Sequence, residues 1–104
     1  MTEIIICSAV WYKDLPTMVH LPKNIDVGTV VCGHRHHNCI HTVFTLCKLR
    51  SVTFAEDAAG EDVQGFLTNT NRFVDRYDGM EIAIACGQVG EEKTGKELYS
   101  EDLY

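Results

Sequence analysis

The chain has 104 residues, enough for one domain with one core. Its formal net charge of -6, with 15 Asp and Glu against 9 Lys and Arg, argues against a general binder of polymeric nucleic acid or of anionic membranes, both of which call for basic surfaces. No apolar run approaches the length that spans a bilayer. Five scattered cysteines (Cys7, Cys32, Cys39, Cys47 and Cys86) lack a C-x-x-C pair, and Glu3 stands where a signal peptide wants basic residues, so reduced thiols in a cytoplasm fit best.

Ile4 to Tyr12 is a β-branched and aromatic run without a breaker and reads as a largely buried first strand, with Trp11 as a core or interface anchor. Lys13 to Pro16 reads as a turn. Met18 to Leu21 reads as a second short strand ended by Pro22, and Thr29 to Cys32 as a further β-like run bracketed by Gly28 and Gly33. A helix is predicted from His36 to Arg50. At about 100° per residue its apolar positions Cys39, Ile40, Val43, Phe44, Leu46 and Cys47 cover an arc of roughly 160°. That width predicts packing on the sheet with one side and on a partner subunit with another.

Ser51 to Phe54 can form a strand, and Ala55 to Asp62 an acidic loop. Gly65–Thr68 and Arg72–Val74 then flank Asn69, Thr70 and Asn71, a cluster that tolerates positive φ and makes Asx turns, so the segment reads as a tight hairpin. Its polar tip sits between two apolar anchors, Phe66 and Phe73. Asp75, with Asp78 three residues on, is the expected N-cap of a second helix over Arg76 to Cys86, with Gly87 as C-cap. Gly79 costs that helix about 1 kcal/mol relative to alanine, so packing has to supply the difference. The region around Gly90 and Gly95 reads as a mobile loop, whereas Leu98 to Tyr104 reads as a segment that docks. The expected architecture is a single α+β domain over residues 1–104, a small mainly antiparallel β-sheet with two packed helices, oligomeric.

Four of the five histidines fall between His34 and His41. His37 and His41 are spaced i, i+4 and are able to share a metal, with Cys32 or Cys39 as further ligands, but the spacings match no finger or ribbon. A metal-dependent phosphodiesterase or nuclease would use the same histidines as base and ligand, although no paired acidic residues accompany them. The non-catalytic alternative places Arg35, His36 and His37 at a helix N-terminus, where free amides and the helix dipole favour phosphate oxygens. Arg35 adds a bidentate fork, Arg72 and Arg76 add charge, and Phe66 or Phe73 offers a ring for adenine. The plain alternative is that Arg72 pairs with an acidic neighbour and both Phe side chains are core.

The run QGFLTNTNRFVDR, followed by EIAIACGQV and LYSEDLY and preceded by Arg35-His36-His37, resembles a family of phage Thoeris anti-defence sponges. The resemblance covers roughly residues 33–41 and 64–104 and leaves the first thirty unmatched. It implies a non-enzymatic, cofactor-free protein in the host cytoplasm that binds glycocyclic ADP-ribose intact, some members also holding cyclic oligonucleotides of the CBASS type. It further implies a homo-oligomer, a dimer or hexamer, with pockets between subunits. Carried over by position, the ligand contacts would be Arg35, His36, His37, Phe66, Thr68, Asn71, Arg72, Phe73, Ser100 and Asp102. Tyr77, Asp78 and Gly79 depart from the usual pattern. A structural phage protein that only self-associates is the remaining alternative.

Overall fold

In the computed structural model, which describes residues 2–49 and 62–104, four strands form one antiparallel sheet carrying two helices. The elements are β1 (Ile5–Tyr12), β2 (Thr29–Gly33), α1 (His36–Leu49), β3 (Asp62–Thr68), β4 (Phe73–Asp75) and α2 (Arg76–Ala85), followed by 3₁₀ turns at Glu91–Lys93 and Ser100–Asp102. The strand order is β2-β1-β3-β4, so the apolar first strand lies inside the sheet. The expected α+β class is therefore the observed one.

Period-two alternation divides the core between the two faces of the sheet. Val10 and Tyr12 of β1 meet Cys39 and Val43 of α1, and Phe66 and Val74 meet Met80 and Ala83 of α2, so both helices cover one face. Ala9, Val30 and Phe73 form the opposite face, where Leu21 and Ile25 of the β1–β2 connection pack over them. Trp11 belongs to this second cluster, edge-on to Phe73 at 6.1 Å, with its indole N–H donating to the Val27 carbonyl. Phe44 and Leu46 on α1 remain 52% and 50% exposed and, two residues apart, lie on different sides of the helix.

The segment Met18–Leu21 is not a strand. Pro16 and Pro22 remove donors at either end, and Met18 makes a single backbone bond, to the Gly28 carbonyl, before the chain turns over the sheet. Val19 is 91% exposed. The strand expected at Ser51–Phe54, most of the acidic loop and the helix end at Arg50 lie outside the described residues, while Asp62, assigned to that loop, opens β3. The hairpin forms as its turn chemistry predicts: Asn71 takes φ 62°, the Thr68 amide donates to the Arg72 carbonyl, and the Asn71 amide donates to the Thr68 carbonyl.

Asp75 caps α2 by accepting the amides of Tyr77 and Asp78. At the other end Gly87, φ 83°, is the residue after the cap, and the amides of Gly87 and Gln88 return to the carbonyls of Ile84 and Ala83 in a Schellman arrangement. Gly79 lies against Phe66 and Leu98, which supplies by packing what its helix propensity withholds. The segment read as a mobile loop holds the 3₁₀ turn Glu91–Lys93, and the ending docks, with Leu98 fully buried.

Glu3 holds the hairpin tip to the start of the chain. Its carboxylate accepts Arg72 Nε at 2.8 Å and Nη2 at 2.6 Å, together with the Thr68 and Thr70 hydroxyls. The Arg72 hydrogen bonds, followed by those of Thr70 and Thr68, lower its pKa to about 2. Because the folded value lies below the unfolded one, this contribution is complete above the ordinary carboxylate pKa. It is lost as pH falls from there through about 2. Glu3→Ala should cost about 1 kcal/mol in urea unfolding at pH 7, a figure kept small because the pair is solvent-screened. The difference from wild type should shrink on acidification across that range.

Candidate functional site

The geometry separates the sequence-predicted site residues into three groups. The first forms where α1 begins. The two residues after β2, His34 and Arg35, turn the chain into α1, and Asn38 accepts the Arg35 amide, so the helix opens with no acidic residue in its first turn. The Arg35 guanidinium donates to Ser100 Oγ at 3.1 Å and to the backbone oxygen of Tyr104. It also lies 5.3 Å from the centre of the Tyr104 ring, which is tilted against His34 at 4.5 Å.

His36 points inward and is 8% exposed. Its Nε2 lies 2.8 Å from the Gly65 carbonyl, which requires a proton on that nitrogen, and Nδ1 then accepts from Arg76 Nη2 at 3.4 Å. Burial, with the Arg76 charge adding to it, holds the imidazole below its usual pKa against the opposing pull of the Gly65 carbonyl. His36 is a neutral spacer between two cations. Arg76, the first residue of α2, donates to the Leu98 carbonyl at 2.7 Å and to Gln64 Oε1 at 2.6 Å, and covers the Tyr99 ring at 4.5 Å.

Arg35, His36, Arg76 and Ser100 are thus brought together from three parts of the chain. Neither arginine forms an ion pair with a side-chain carboxylate among the described residues. A cavity of about 380 Å³ opens on the other flank of the same C-terminal segment, lined by Tyr77, Lys93, Gly95, Lys96, Glu97, Tyr99 and Asp102. Asp102 holds that segment in shape, with Oδ1 on Lys93 Nζ at 3.3 Å and Oδ2 on the Tyr99 amide.

The second group is the hairpin tip, whose polar atoms the fold already uses. Thr68 and Arg72 serve Glu3, and the Asn71 carbonyl accepts Lys23 N–H. The third group is apolar. Phe66 is fully buried under His36 and α2, and Phe73 is 6% exposed on the opposite face of the sheet. The two rings that flank the hairpin tip lie on opposite faces of the sheet: Phe73 is opposite Leu67 and Phe66 is opposite Val74, and cross-strand partners share a face. His37 stands outside with His41, ring centres 6.0 Å apart, and no third metal ligand joins them among the described residues.

Gly65 is the close-approach point beneath this site. A Cβ there would collide with the Val74 carbonyl of β4 and press on the Phe73 ring, and the Gly65 carbonyl is the acceptor that orients His36. Gly65→Ala should therefore destabilise by about 1–3 kcal/mol in urea unfolding and shift the His36 ring resonances.

Sequence reading undervalued Arg76 and missed Glu3, Gln64, Tyr99 and Tyr104 as partners. Both tyrosines lie in the LYSEDLY run, the signal that marked the docking segment.

Arg35, Arg76 and a cavity walled by Tyr77 and Tyr99 thus border the C-terminal segment of a small α+β fold. A family model described as Phage T4 y16D protein matches residues 4–104, and the chain belongs to this phage protein family. No curated protein and no solved structure matches it. Among the described residues no helix is long and apolar enough to cross a membrane.

Proposed function

We propose that the protein sequesters a cyclic nucleotide-derived immune messenger, glycocyclic ADP-ribose first among them, and releases it unchanged. The observation that carries this reading is the convergence of Arg35 and Arg76 near the α1 N-terminus with no ion pair to a side-chain carboxylate among the described residues, in a chain of net charge -6. Two guanidinium groups and the first-turn amides of α1 suit a pair of phosphates. Tyr77 and Tyr99, walling the adjacent cavity, offer rings to a base, and Lys93 and Lys96 add charge beside them.

Resemblance to the anti-defence sponges supports the same ligand and a site shared between copies. The half-exposed Phe44 and Leu46 on α1 and Tyr77 and Tyr99 beside the cavity are the apolar surfaces a second copy would cover, as a dimer or hexamer in the host cytoplasm. Sequestration needs tight binding: a dissociation constant near 1 nM corresponds to about -12.3 kcal/mol, which a largely enclosed ligand can reach. Cyclic oligonucleotides of the CBASS type are the second ligand class.

Titration calorimetry with glycocyclic ADP-ribose tests the proposal. Saturable binding at a fixed ratio of ligand to chain is expected, with a midpoint too tight to resolve without a competitor. Absence of heat and of any thermal shift at micromolar ligand would remove glycocyclic ADP-ribose as the messenger.

A further inference from the structure

Two thiols stand apart from the arginines and the cavity. Cys32 is exposed on β2, the outer strand of the sheet, and stands opposite Ala9. Cys7, two residues before Ala9 on β1, therefore projects from the same face, diagonally across from Cys32. The β1–β2 pairing runs from Ser8–Gly33 to Tyr12–Thr29, so Cys7 sits one residue beyond the ladder. On its other side β1 shifts register against β3 between Ile5 and Cys7, an irregularity that twists and loosens the strand at this point.

Interaction between the two thiols lowers the Cys32 pKa to about 7 and, together with burial, raises that of Cys7. Cys32 is also the more exposed of the two, so it is the thiol that an external disulfide meets first. Cys39 and Cys86 are placed differently. Cys39 is fully buried, is pushed up to about 11 by burial, and directs its sulfur at the carbonyls of Ser8 and Arg35. Cys86 directs its thiol at the Ala83 carbonyl and Gln88 Oε1.

We propose that Cys7 and Cys32 form a reversible thiol–disulfide site, with Cys32 as the attacking thiolate, Cys7 as the resolving thiol, and a disulfide of the glutathione class as oxidant. In the first step the Cys32 sulfur attacks one sulfur of oxidised glutathione. The glutathione S–S bond breaks, and one glutathione leaves with the electron pair as its thiolate. Cys7 then gives up its proton and attacks the Cys32 sulfur, and the second glutathione leaves. Two protein thiols are oxidised to one disulfide, one glutathione disulfide is reduced to two thiols, and the protons of Cys7 and Cys32 end on the leaving groups.

The bond would staple β1 to the end of β2, the strand that runs through Gly33 into His34 and Arg35. Closure draws the two Cβ atoms nearer than a diagonal pair normally stands; Cys7 still pairs with Leu67 of β3, so the movement falls to the edge strand β2, whose ladder with β1 ends before Cys7.

The test is incubation of the reduced full chain with oxidised glutathione without air, an acid quench, and mass spectrometry of the intact protein and its peptides. The expected result is a loss of two hydrogen masses with one cross-linked peptide pair containing Cys7 and Cys32. Cys7→Ala should accumulate glutathione on Cys32, and the pH midpoint for alkylation of Cys32 should rise from about 7 towards the ordinary thiol value. A cross-link through any other cysteine, a glutathione adduct that persists on Cys32 in the wild type, or an alkylation midpoint that Cys7→Ala leaves in place would overturn the proposal.

Discussion

Arg35→Ala is expected to raise the dissociation constant for glycocyclic ADP-ribose by about a hundredfold or more, a loss of at least about 3 kcal/mol. Arg35 is the residue through which the α1 N-terminus meets the C-terminal segment, and its guanidinium pairs with a hydroxyl and a backbone oxygen but, among the described residues, with no side-chain carboxylate. A phosphate offers the fork of Arg35 a bidentate, fully charged acceptor, and that interaction is what alanine removes. Arg72→Ala is the control. Its guanidinium is already committed to Glu3, so its removal should weaken the hairpin tip and leave the dissociation constant within about threefold of wild type. Calorimetry of the two variants side by side checks the contrast. Equal losses would mean that the hairpin tip, and not the α1 end, grips the ligand.

Phe66→Ala is expected to have the largest effect on stability, about 3–5 kcal/mol in urea unfolding. A domain of this length has roughly 5–15 kcal/mol in all, so the variant should be largely unfolded at the temperatures that wild type tolerates. The ring is fully buried, edge-on to His36 at 5.1 Å and packed with Val74, Met80, Ala83 and Leu98. Its removal empties the place where β3, α2 and the C-terminal segment meet. Phe66→Leu retains most of the volume and should recover over half of the loss. A well-folded Phe66→Ala that fails only in ligand binding would contradict the core placement.

Much of the fold was legible because its signals are local. The unbroken run to Tyr12, the start of α1 at His36, the Asn-Thr-Asn turn and the Asp75 cap each depend on neighbours within a few residues, and each appears where it was expected. Met18–Leu21 failed because hydrophobic content without a sheet neighbour is not a strand, and the two flanking prolines already argued against one.

The site was legible only in part. Arg35 and Ser100 lie 65 residues apart, and their meeting depends on how the C-terminal segment crosses α1. The capture of Arg72 by Glu3 spans 69 residues and leaves no local trace. The placement of Phe66 and Phe73 on opposite faces, by contrast, could have been found in the sequence. Once the turn is fixed at Asn69–Asn71, counting back in pairs sets Phe73 against Leu67, and strand alternation then separates the two rings.

Sequestration without chemistry is tested most directly by loading the purified protein with glycocyclic ADP-ribose, removing unbound material, denaturing it by heat and separating what is released. The account predicts intact ligand at close to a fixed ratio per chain, and the same yield with a chelator present. A cleaved product would contradict it in favour of a phosphodiesterase using the His34–His41 cluster. Release of nothing, from this ligand and from cyclic oligonucleotides alike, would leave a protein that only self-associates.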